Sequence, residues 1–143
     1  MEMSIHRNLF FALLTLMSVG CTNCEQEVIN TDASGVWIAE VRHRVCGSFS
    51  GYAVAVYRVN ENPPGEGDGD KEPFQATYKT SDFEMGDLPI ETEWINDQHL
   101  IIHHDTRMNV EDRKSKPMVI KADTAYEELR IQYDPEPVIW TQK

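Results

Sequence analysis

From Gly35 onward, hydrophobic and polar positions alternate in short runs broken by turn residues. Val36–Val45 is rich in β-branched residues. Between Tyr52 and Val59, Tyr52, Val54 and Val56 stand opposite Ala53, Ala55 and Tyr57, and the small alanines predict another layer close to their face. Phe74, Ala76 and Tyr78 alternate with Gln75 and Thr77. Glu91–Ile95 and Leu100–His103 flank Asn96-Asp97-Gln98, which reads as a tight hairpin turn. Met118–Lys121, Leu129–Tyr133 and Val138–Trp140 complete the series. A two-residue period marks half-buried strands, and no window sustains a 3.6-residue period. Only Asp123–Leu129 has the composition for one or two helical turns, with Asp123 as N-cap. About seven to eight short strands spaced roughly ten residues apart predict an all-β domain, a small antiparallel sandwich or barrel.

Residues 1–20 break this pattern. His6 and Arg7 precede the apolar run Leu9–Met17, and Ser18-Val19-Gly20-Cys21 follows. A basic start, a short apolar core and small residues at the end form a secretory signal. The run is too short to cross a bilayer, which takes roughly 20 apolar residues. The Val19-Gly20-Cys21 junction resembles the lipobox of bacterial lipoproteins, although Ser18 stands where such signals more often carry Leu, and Glu2 is unusual in a positive region. The resemblance implies cleavage of the signal peptide before Cys21 and covalent lipid on Cys21. Thr22 in place of an aspartate further implies the outer membrane of a Gram-negative cell envelope, on its periplasmic face. A soluble product cut after Gly20 and an uncleaved N-terminal anchor are the alternatives. The lipoprotein reading divides the chain into a signal peptide (1–20), a polar lipid-anchored tether (21–34) and a β-domain (35–143). Residues 21–143 are the size of one compact domain. Cys46-Gly47 and the Trp94–Ile102 hairpin loosely resemble short bacterial lipoproteins of no assigned function. Ser34–Ala39 and Trp94–Leu100 resemble phrases of β-propeller blades, but the chain is too short for a propeller.

The net charge of −11 narrows the partners. It survives removal of residues 1–20, which takes away only Glu2 and Arg7. Such acidity excludes nucleic acid, whose phosphates it repels. It also opposes unaided adhesion to anionic lipid, so membrane attachment falls to the lipid on Cys21, stable when two or more acyl chains are present. A cationic protein partner is the sharper reading of the same charge. With Cys21 lipidated, Cys24 and Cys46 remain and predict a disulfide in an oxidising compartment. Closing a loop of roughly 20 residues contributes about 3 kcal/mol in the chain-entropy model. Cys21 and Cys24 spell C-x-x-C, but without the βαβ context that redox work needs.

Candidate sites are few. In the loop Asn60–Pro73, Glu66, Asp68, Asp70 and Glu72 alternate as oxygen ligands for a cation such as calcium would. Lys71 and Thr77 occupy positions where a calcium loop of the EF-hand type needs glycine and glutamate. His99, His103 and His104 cluster, followed by Asp105. On a strand, His99 and His103 lie about 13 Å apart at 3.3 Å per residue, too far for one metal, and His104 points away. A metal would need His43 or a carboxylate from a neighbouring strand. Gly47-Ser48-Phe49-Ser50-Gly51 fails the G-x-S-x-G elbow at its central residue. Ser48, Ser50 and His43 have no positioned triad, so no catalytic residues are assigned and no enzyme activity is expected. Trp37, Trp94 and Trp140 read as core or interface. Ser50-Gly51-Tyr52 resembles the small-residue-plus-tyrosine motif of periplasmic lysozyme inhibitors. The sequence thus points to a lipid-anchored, non-enzymatic binding or envelope-maintenance domain. The alternatives are an inhibitor of a cationic hydrolase such as lysozyme and a calcium- or metal-binding module. No cofactor is expected.

Overall fold

The structure, a computed structural model, describes residues 24–65, 68–83, 88–108 and 118–136. The signal segment, Cys21, Glu66 and Val138–Trp140 lie outside them. In chain order the strands are β1 (Glu25–Ala33), β2 (Trp37–Cys46), β3 (Phe49–Arg58), β4 (Phe74–Lys79), β5 (Ile90–Asn96), β6 (His99–Asp105), β7 (Met118–Ala122), β8 (Ala125–Tyr126) and β9 (Leu129–Glu136). They form a five-stranded sheet, β1-β2-β3-β4-β7, and a four-stranded sheet, β5-β6-β9-β8, stacked as a small β-sandwich. The domain is all-β, as the two-residue period requires. Its one helical element among the described residues is the 3-10 turn Gly69–Lys71. No helix among them is long and apolar enough to cross a membrane.

Alternation decides which side chains enter the core. Trp37, Ala39 and Val41 of β2, Tyr52, Val54 and Val56 of β3, and Phe74, Ala76 and Tyr78 of β4 face Leu100 and Ile102 of β6 and Leu129 and Ile131 of β9. All thirteen are buried side chains of the core. Each full burial of a Val-, Leu- or Phe-sized side chain contributes about 1.5–3 kcal/mol. Trp37 closes one end, edge-on to Tyr126 at 6.1 Å and with the Arg58 guanidinium 4.3 Å over its ring. The two blade-like fragments meet there too. The Asp97 carboxylate accepts the Gly35 backbone N–H at 2.9 Å, and Trp94 Nε1 donates to the Asp32 carbonyl at 3.3 Å.

Three expectations change. Residues 25–33 are not a tether but edge strand β1, paired antiparallel with β2 from Glu25↔Val45 to Ala33↔Ile38. Its polar composition follows from its place, since most of its residues face water and a register shift between Val28 and Asn30 breaks the ladder. Charge and a bulge are common protections of a sheet edge. Asp123–Leu129 makes no helical turn: Tyr126 pairs with Leu129 across a Glu127-Glu128 hairpin, with Glu127 in the left-handed region at φ 50°. Arg58 holds both carboxylates, at 3.1 Å to Glu127 and 2.7 Å to Glu128. Finally, the second sheet is mixed. The chain leaves β6, contributes β7 to the other sheet, and returns through β8 so that β9 lies parallel to β6, with His103 opposite Asp134.

Candidate functional site

The acidic loop and the histidine cluster have different fates. Pro64 and Glu72 of this loop lie against the outer face of β2 and β3, where Ala53 and Ala55 are both buried. Ala53 is the register partner of Arg42 and Ala55 that of Glu40, so the small residues leave room for two long side chains lying flat on the sheet. Arg42 donates to Glu40 at 2.7 Å and to the Pro64 carbonyl of the loop at 2.9 Å. Glu72, fully buried, pairs with Arg44 and lies 3.9 Å from Arg42. Tyr57 Oη donates to Glu40 at 3.2 Å. Its hydroxyl pKa is raised, by burial first and then by the charge and hydrogen bond of Glu40.

This arrangement removes Glu72 from the predicted cation set. The carboxylate is neutralised by two arginines, and Asp70 is exposed while Glu72 is enclosed. Asp68 and Asp70 flank the start of the 3-10 turn, and Lys71 Nζ lies 3.7 Å from Glu61. The described part of the loop thus contributes buried charge and a carbonyl to the arginines on the sheet's outer face. The alternation of carboxylates in sequence gave no sign of the arginines beneath them.

His103 is where ligating side chains converge. It projects from the middle of β6 on the outer face of the small sheet, away from inward-facing Ile102 and His104. Its Nε2 lies 2.7 Å from Glu93 Oε2 on β5. Its Nδ1 lies 2.8 Å from Glu136 Oε1 and 3.3 Å from Asp134 Oδ2 on β9. Glu136 follows Asp134 by two residues, so the strand period puts both on one face. Partial burial lowers the imidazole pKa, but the Glu93 hydrogen bond and the charges of Glu136, Asp134 and Glu93 outweigh it, and the net shift is upward. The other histidines take no part. His99 lies 3.2 Å from Gln132 Oε1, and buried His104 donates through Nδ1 to the Asp105 carbonyl at 2.9 Å. His43, on the large sheet, contacts Tyr78 Oη at 2.8 Å through Nε2, and burial lowers its pKa despite the opposing Glu27 charge. From the sequence, a metal at these histidines would need His43 or a carboxylate from a neighbouring strand, and His43 lies on the other sheet. The carboxylates of Asp134 and Glu136 stand beside His103, and only the parallel β6–β9 pairing reveals them.

The remaining candidates are structural. Cys24 and Cys46 are joined in a disulfide across β1 and β2, with a sequence separation of 22. Ser50 and Tyr52 are buried on β3; Ser50 Oγ lies 2.9 Å from Thr80 Oγ1, so this stretch is not an exposed loop. Gly51 between them is required by space, because a Cβ there would stand 2.6 Å from the Ala76 carbonyl oxygen. Phe49, Met118 and Ile120 are exposed on the large sheet. Asp105, buried, accepts the Arg107 side chain at 2.9 Å. Burial acts to raise its pKa, but the Arg107 bonds prevail and lower it. Comparison with protein-family models, with curated proteins and with solved structures finds no match for this chain.

Proposed function

We propose that this chain is a lipid-anchored binding domain of a bacterial cell envelope, non-enzymatic and held at a membrane through Cys21. The observation that carries the reading is the Cys24–Cys46 disulfide. Disulfides persist in oxidising compartments and are rare in the cytosol, and the third cysteine of the sequence, Cys21, follows an apolar run. The disulfide also ties the chain to the sheet three residues beyond the lipid position, and β1 begins at Glu25. The head would thus sit close against its anchor, with an acidic surface that keeps it from adhering to anionic lipid.

The test is processing and fractionation in a Gram-negative host. The wild-type chain is expected in the outer-membrane fraction as a shortened, detergent-soluble product. Cys21→Ser is expected to accumulate uncleaved. Normal maturation and release of Cys21→Ser into the periplasm would contradict the proposal.

A further inference from the structure

We infer that His103, Asp134 and Glu136 form a binding site for one divalent transition-metal ion, with Glu93 orienting the imidazole from behind. One ligand atom from each of the three residues lies within 4.8 Å of the others. The nitrogen-to-oxygen spacings of 2.8 and 3.3 Å approach the roughly 3.3 Å edge of a tetrahedral site with bonds of 2.0–2.1 Å. The third spacing, between the two carboxylates, is within 4.8 Å, and rotation of these half-exposed side chains closes the site.

A plain surface ion pair does not account for the geometry at Nδ1. That nitrogen is buried and has no hydrogen-bond partner, although two carboxylate oxygens stand close to it. The oxygens approach from directions an N–H does not serve. A metal ion among the three donors would satisfy the nitrogen and both carboxylates at once. Glu93 completes the arrangement by accepting the Nε2 proton at 2.7 Å, which leaves the Nδ1 lone pair for the ion. Carboxylate–histidine–metal relays of this kind fix the tautomer and raise the basicity of the ligand.

The fold supports the site from both sides. Ile101 and His103 alternate with buried Leu100, Ile102 and His104, so His103 cannot turn inward without displacing the core. β8 pairs only with Leu129 and Arg130, which leaves Pro135 on an open edge where a missing N–H costs nothing. The two carboxylates are about half exposed, leaving room for water to complete the coordination. One imidazole and two carboxylates suit zinc and its first-row neighbours better than calcium, which takes six to eight oxygen ligands. The site needs no lipid anchor, and it stands whether or not Cys21 carries one.

The test is titration of the untagged, chelator-treated full chain with zinc, read by calorimetry and by the ring nitrogen resonances of His103. One zinc per chain and a shift of the Nδ1 resonance are expected. The Asp134→Asn/Glu136→Gln double variant should bind at least tenfold more weakly, and Glu93→Gln about 10–100-fold more weakly. His99→Gln, on the same strand face, should bind as the parent does. Should the double variant lose its near-ultraviolet dichroism, Glu136→Gln alone gives the same reading, because its side chain is 40% exposed. No zinc uptake by the parent, zinc uptake unchanged in the Asp134/Glu136 variants, or calcium binding as tight as zinc would overturn the inference.

Discussion

Glu72 and Glu136 are both glutamates among other acids, and the side chains over and beneath them decide what each does. Glu72 is enclosed by Arg42 and Arg44, so its charge is part of the packing. Glu72→Gln is expected to destabilise the domain by about 3 kcal/mol, because it leaves the partly buried Arg44 guanidinium without its counterion. Asp68→Asn and Asp70→Asn should each stay within about 0.5 kcal/mol of the parent. Urea unfolding of the three variants checks this, and equal midpoints for all three would refute the buried role. Little of this was legible in sequence. Spacing along Glu66–Glu72 suggested ligands, whereas the partners come from β2, some 30 residues earlier. Local spacing likewise argued against a His99–His103 metal pair, and it could not show the carboxylates that β9 brings to His103.

At the scale of elements, apolar alternation identified β3, β4 and the β5–β6 hairpin because their buried faces write it into the chain. β1 escaped the same reading. It buries almost no side chain, and its place in the sheet rests on backbone pairing, on Arg44 donating to Gln26 at 2.7 Å, and on the disulfide. None of these leaves a periodic trace. β8 was missed for a related reason, being two residues long with its turn held by Arg58 from β3. If the disulfide holds β1 in place, Cys24→Ser/Cys46→Ser should lose about 3 kcal/mol of stability in the chain-entropy model. Its β1 amides should exchange with solvent deuterium faster than those of β6, which lies between two strands. Unchanged protection across β1 in that variant would show that edge pairing alone suffices.

For the whole molecule, the spacing of the alternating runs already implied one all-β domain. The mixed topology was not implied, since alternation is blind to strand direction and the β6–β9 pair is joined only after the chain has visited the other sheet. The resulting object is compactly tied at its start. Cys46 holds Cys24, β1 follows at once, and Trp94 and Asp97 of the small sheet grip the β1–β2 turn. Such a head is consistent with the proposed attachment through Cys21. The most direct measurement is the intact mass of the mature protein extracted from membranes. A chain beginning at Cys21, heavier by the mass of its acyl and glyceryl groups and lighter by two hydrogens for the Cys24–Cys46 bond, is the predicted result. A chain that still begins at Met1, or one of unmodified peptide mass with free thiols, would contradict it.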